Sequence, residues 1–330
     1  MTSRVRASIR RVSNEGPLEY VSIDDDALLD FSDRLARAEF SVHDWRSPVM
    51  IDEADYGVET VLDFFFVGNA LNFVFDDVAT GEPFKTTYDG ESWVGAFAMW
   101  ASLKRAMDEG VDVTDGELLR DLTLSETRDL FRGDSPIPLV ERRRDVLTHV
   151  GERLCAVADG RFHTAIDETA ALRLYDDGDG LVEWLTDRFP KAYRDCRTYR
   201  GETVYFDKKA QLAAGMLYGR FHDASMYTIV DIDAMTVFAD YLIPALLRAE
   251  GVFEYAPELA RRVDDGDPIP EGDPMEVELR IATIETADRL LEELNRSREE
   301  HVSAVQLDQA LWRTGRSRTL THHLTETATY

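Results

Sequence analysis

Val237 to Leu247, VFADYLIPALL, sets a single carboxylate, Asp240, among ten apolar or aromatic neighbours, and this constrains the fold more than any other stretch. Such a run is buried whatever its secondary structure. An Asp inside it must be paired, hydrogen-bonded or kept for chemistry, because stripping water from a charge is costly. As a helix the run would carry Pro244 without an N–H, leaving the carbonyl of Asp240 free and kinking the chain. Residue type alone favours a structural Asp bonded to an amide or an Arg; the competing reading is a catalytic carboxylate at the base of a dry pocket.

What surrounds this buried charge is an acidic chain, with 37 Lys and Arg against 64 Asp and Glu and a net charge of −27 over 330 residues. A sliding nucleic-acid binder, whose affinity rests on cations neutralising phosphates, is disfavoured, and the acidic residues read as a solvated, high-salt type of surface. Cys155 and Cys196 have no C-x-x-C spacing, which speaks against a disulfide scaffold or a zinc ribbon. No apolar run has the length of a signal peptide core or a membrane span, so a cytoplasmic protein is expected.

Along the chain the pattern is mainly helical. Residues 1–20 read as a loose start, 21–315 as one helical domain with a few short strands, and 316–330, with His322 and His323, as a polar disordered tail. Leu28, Phe31 and Leu35 fall at helical spacing behind a capping signal at Ser22. ETVLDFFFVGNALNFVFDD is open between buried helix and strand. Trp93 to Met107 predicts a helix, and a further helix from about Leu139 to Ala158 carries ERRRD as a solvated face. YDDGDG fails the ligand spacing of a calcium loop and reads as a turn. TYRGETVYF predicts a hairpin about Arg200-Gly201, followed by the helix DKKAQLAAGMLYGRF. Met275 to Leu294 reads as a long helix with Glu and Arg outermost. On a closing helix, Val305, Asp308, Gln309 and Trp312 share one face.

The chain lacks the spacings of a phosphate loop, a dinucleotide fold, a nucleophile elbow or a zincin helix, and its seven His show no metal-ligand spacing. What remains is carboxylate chemistry at Asp240 and Asp308 beside stackable aromatics. Eight pieces then occur in order: LNFVF (Leu71 to Phe75), LKRAMDEG (Leu103 to Gly110), PLVERRRDVL (Pro138 to Leu147), YRDC (Tyr193 to Cys196), FDKKAQL (Phe206 to Leu212), TVFADYLIP (Thr236 to Pro244), MEVELR (Met275 to Arg280) and LDQALW (Leu307 to Trp312). Jointly they resemble the queuosine 5'-phosphate N-glycosylase/hydrolase family, the queuosine salvage proteins.

The resemblance implies a helical fold similar to DNA glycosylases. It also implies hydrolysis of queuosine 5'-phosphate to ribose 5-phosphate and queuine, the latter for salvage into tRNA modification. No cofactor and no metal are expected, and the partner is a small molecule rather than nucleic acid or membrane. Asp240 takes the place of the family's nucleophile or transition-state stabiliser, and the sequence leaves both roles open. Phe238 takes the place of a base contact, and Asp308 and Trp312 that of pocket residues. Lys208, with Lys209 behind it, is the expected cation for the 5'-phosphate. Three departures concern the pocket rim: Asp76 stands where the family usually has Trp, Arg313 replaces the Asp that follows the closing Trp in eukaryotic-type members, and the family's substrate-contacting His is missing, His43 being the available stand-in. The alternatives are a DNA-glycosylase-like enzyme on another nucleoside or nucleotide, and a non-catalytic nucleotide-binding protein.

Overall fold

Segment 59–77, open between helix and strand on sequence, is helical as far as Ala70, within helix Val58–Ala70, and every residue from Val61 to Ala70 is buried. The computed structural model describes residues 3–166, 171–224 and 226–330. These hold fifteen α-helices and three two-stranded antiparallel pairs, a single mainly α domain. Val58–Ala70 packs on Lys208–Phe221, and the helices Pro274–Ser297, Leu242–Ala249 and Ala304–Arg316 contact one another beside them. The strands pair Val21–Ile23 with Phe253–Tyr255, Lys85–Tyr88 with Glu91–Val94, and Cys196–Tyr199 with Glu202–Tyr205 in the hairpin expected about Arg200-Gly201. No described helix is long and apolar enough to cross a membrane.

After Ala70 the alternation of buried Leu71, Phe73 and Phe75 with part-exposed Asn72 and Val74 is real, yet this segment belongs to no strand. Buried carbonyls still need donors. Arg143 supplies them, with Nη1 donating to Leu71 O at 2.7 Å and Nη2 to Phe73 O and Val74 O at 2.6 Å. The expected solvated face of ERRRD is therefore corrected at its centre. Arg143 is fully buried, over the ring of Phe73 at 4.3 Å, while Glu141 and Arg142 remain exposed.

Other expectations change for equally local reasons. Trp93 lies in strand Glu91–Val94, and the helix starts only at Ala96 after Gly95, whose φ of 63° is left-handed. Ser22 is in a strand, and the helix Asp25–Leu35 is capped by Asp24. In YDDGDG the carboxylate of Glu183 accepts the N–H groups of Asp176, Gly178 and Gly180, closing the turn. The outer face expected for MEVELR is inverted: Glu276, Glu278 and Arg280 are all fully buried.

The loose start is corrected to a helix. Arg4–Ser13 is capped by Ser3 and buries Val5, Ile9 and Val12, a stripe that alternating Arg residues conceal in the sequence. Arg4 reaches Asp207 at 2.7 Å and Arg6 reaches Asp288 at 2.9 Å. The disordered tail is corrected too: His323, Thr325, Thr327 and Tyr330 are buried, and Ala328 O accepts from the ammonium of Lys209 at 2.7 Å. Part of its polarity is turned inward: the Thr327 hydroxyl donates to Glu271 at 2.8 Å and His323 Nε2 lies 3.3 Å from the Tyr330 hydroxyl. Because the first helix is part of the core, Ile9→Ala is expected to lower unfolding free energy by about 2–4 kcal/mol. Denaturant titration measures this, and no shift in midpoint would return residues 4–13 to a frayed state.

Candidate active site

Asp240 ends an irregular buried segment, Thr236 to Asp240, that runs into helix Leu242–Ala249. Without regular structure the backbone needs side-chain partners, and three helices provide them. Gln211 Oε1 accepts from Thr236 N at 2.8 Å, Asp308 Oδ1 accepts from Phe238 N at 2.7 Å, and Arg280 Nε donates to Ala239 O at 3.0 Å. Asp240 Oδ1 itself accepts the N–H of Leu242 at 2.9 Å. Pro244 falls in the first turn of the helix, where a missing N–H leaves nothing unsatisfied, so the expected kink does not arise.

Lys208 opens the helix Lys208–Phe221 and places its Nζ 3.9 Å from Asp240 Oδ2. Its side chain is 6% exposed, against 18% for Asp240, so the carboxylate is the more open of the two. Burial pulls the Lys208 ammonium below its usual pKa, against the pull of Asp240 and Asp308. Asp308 is 6% exposed, and burial pushes its carboxyl up to about 8. The Phe238 N–H opposes that rise, Asp240 adds to it by like charge, and Lys208 opposes it. At neutral pH Asp308 is therefore mainly protonated.

Phe238 is buried with its ring end against Gly215, where an added Cβ would stand 3.2 Å from Cζ. Trp312 lies one turn beyond Asp308, half-buried, with Phe97 at 6.3 Å and the Arg316 guanidinium 4.9 Å above its ring. Tyr241, next to Asp240, stacks against His322 at 4.6 Å, and burial raises its phenol above the ordinary range. His43 has its N–H on Gln309 Oε1 at 2.8 Å, beside Asp308 in sequence, but its half-exposed ring lies on Trp45. No described group of three His, Cys, Asp or Glu is placed to hold a metal.

Of the residues singled out in the sequence, Asp240, Lys208, Asp308 and Phe238 are brought together by direct contact or shared electrostatics, and Trp312 lines the rim of the same helix face. The supporting pair Arg280–Asp195 was not read as functional. Arg280 donates to Asp195 at 2.9 and 2.5 Å, and Asp195 Oδ2 accepts from Lys208 N at 3.2 Å. One buried ion pair thus fixes both Ala239 and Lys208. Their only sequence signal was membership of YRDC and MEVELR. Tyr241 lies within TVFADYLIP but was given no role there, and Arg316 falls beyond the last of the eight pieces.

The model of the family described as queuosine salvage protein matches residues 52–330. A Sphaerobacter thermophilus protein named queuosine 5'-phosphate N-glycosylase/hydrolase is 35% identical, the match covering 99% of this chain and 97% of the relative. A Mus musculus protein of the same name is 29% identical over 84% of this chain and 82% of its own. One from Schizosaccharomyces pombe is 26% identical over 77% and 74% respectively.

Proposed function

The chain belongs to the queuosine salvage protein family, and from that premise we propose that it is an N-glycosyl hydrolase that cleaves queuosine 5'-phosphate and releases queuine. The observation that most supports this chemistry is the pairing of an open carboxylate, Asp240, with a buried carboxyl, Asp308, pushed up to about 8. A carboxyl pushed up by burial beside a more open carboxylate can divide with it the work of one bond cleavage.

Breaking the bond from C1' of ribose to the base leaves positive charge on the sugar. Asp240 supplies negative charge that strengthens its hold as that charge grows, which lowers the barrier rather than tightening ground-state binding. A 7-deazaguanine has no N7 to protonate. Asp308, protonated, donates a hydrogen bond to the base, and Phe238 and Trp312 give it stacking surfaces worth roughly 1–3 kcal/mol per base. Water adds its oxygen to C1', the base departs with a proton, and ribose 5-phosphate is the second product. Lys208, expected from sequence to hold the phosphate, faces Asp240 instead, and we assign it to holding that carboxylate in place. The reaction is placed in the cytoplasm, where free thiols such as Cys155 and Cys196 persist.

Incubation with queuosine 5'-phosphate is expected to yield free queuine by mass. Ligand that binds and stays intact would instead mark a nucleotide-binding protein. The pH profile should be level through neutrality and fall as pH rises through about 8, where Asp308 loses its proton. Asp308→Asn keeps an acceptor for Phe238 N and a donor for the base but cannot ionise, so it should remove that alkaline limb. A limb that persists in Asp308→Asn belongs to another group. Stability follows the same sign. The native state holds a proton that the unfolded chain releases above its model value of 3.8, so this group's contribution declines as pH rises from there to about 8.

A further inference from the structure

We infer that Arg316 is the anchor for the substrate's 5'-phosphate and so the residue that makes the site prefer a nucleotide to a nucleoside. This deepens the hydrolase reading above and rests on it. Asp308, Trp312 and Arg316 stand at i, i+4 and i+8 on helix Ala304–Arg316, one stripe running from the buried acid to the open end over about 12 Å. The three groups succeed one another as a nucleotide would need them: a hydrogen-bonding acid for the base, an indole to cover it, and a cation beyond.

The far end of that stripe comes back to the reacting centre. Gly315 lies against Leu242, where an added Cβ would meet Leu242 Cγ at 2.9 Å, and Leu242 N is the donor to Asp240. Arg316 also acts electrostatically on Tyr241, the residue after Asp240. Its guanidinium is held by two rings, Phe97 at 5.0 Å and Trp312 at 4.9 Å, so its plane is fixed while its N–H fork is unspent. Among the described residues the Arg316 side chain makes no ion pair and no hydrogen bond. Its neighbours do: Arg318 reaches Glu250 at 2.5 Å and Arg313 donates to Glu39 O at 3.4 Å. An exposed arginine left without a carboxylate in a chain of net charge −27 suits a dianionic group arriving from solvent.

Arg316→Ala is expected to lower the ratio of kcat/KM for queuosine 5'-phosphate to that for queuosine by about 10- to 100-fold, the range for losing charge-assisted hydrogen bonds. Arg316→Lys, which keeps charge but not the fork, should fall between. An unchanged ratio in Arg316→Ala, including equal losses on both substrates, overturns the assignment and reduces Arg316 to a structural part. Calorimetric titration with ribose 5-phosphate and with ribose separates this inference from the hydrolase reading. The wild type should bind the phosphate ester more tightly and Arg316→Ala should lose that advantage. Equal binding of the two sugars by the wild type, or an advantage kept in Arg316→Ala, refutes the anchor even if queuine is released. Absence of queuine release with an Arg316-dependent advantage refutes the reaction and leaves the anchor standing.

Discussion

Asp240→Asn is expected to reduce kcat for nucleotide cleavage by about 10²- to 10³-fold, equivalent to roughly 3–4 kcal/mol of lost transition-state stabilisation, with little change in KM. The substitution is chosen because it separates charge from shape. An Asn carbonyl can still accept the Leu242 N–H that Asp240 Oδ1 now accepts at 2.9 Å, so helix Leu242–Ala249 keeps its start. What disappears is negative charge beside the ribose, an interaction that grows only as the glycosidic bond breaks and so appears in kcat. Turnover at saturating queuosine 5'-phosphate, with a thermal melt to establish folding, measures it. Near-normal turnover in a folded Asp240→Asn protein removes Asp240 from the chemistry.

Arg280→Met is expected to destabilise the protein by about 3–5 kcal/mol, because removing one partner of a buried ion pair strands the other. Asp195 is 1% exposed and Arg280 fully buried, and Asp195 lies below the usual carboxylate range, desolvation being outweighed by the Arg280 and Arg197 guanidiniums and the Lys208 N–H. Its bidentate bonds to Arg280, at 2.9 and 2.5 Å, are the counterweight that would be lost. The shift should appear in the denaturant midpoint. Asp195→Asn combined with Arg280→Met should recover part of the stability, since Asp195 is then no longer stranded, while Glu276, 3.5 Å from the Arg280 guanidinium, still loses that partner. Activity should stay low in both variants, because Ala239 O loses its donor and Asp240 its fixed approach. A single substitution costing less than about 1 kcal/mol would contradict this account of the pair.

Much of the fold was legible where burial and periodicity agree. Leu28, Phe31 and Leu35 declared their helix, and the hairpin about Arg200-Gly201 followed from β-branched and aromatic residues flanking a turn. Reading failed where a charged residue is buried. Arg143 within ERRRD, the Glu and Arg of MEVELR, and the polar residues of the tail all carry the sequence signature of solvent. Whether a charge is buried depends on a partner remote in sequence: Asp195 and Arg280 are 85 residues apart, Arg143 and Leu71 are 72. Periodicity within a window has no access to such partners. The start 4–13 failed for a related reason, its apolar stripe Val5, Ile9 and Val12 being interleaved with arginines that pair to distant carboxylates.

The sequence by itself determined that Asp240 is a lone charge in an apolar run and needs an explanation, and the ordered set of eight pieces determined the family. Only the tertiary structure decided why those pieces belong together. Seven of the eight bond to one another, LKRAMDEG standing apart: LNFVF to the arginine of ERRRD, YRDC to MEVELR, FDKKAQL to TVFADY through Gln211 and Thr236, and FADY to LDQALW through Phe238 and Asp308. It also decided that Asp308 is the more buried of the two acids, where burial and the nearby Asp240 push its carboxyl up to about 8, because both effects are fixed by distance in space and not by residue type.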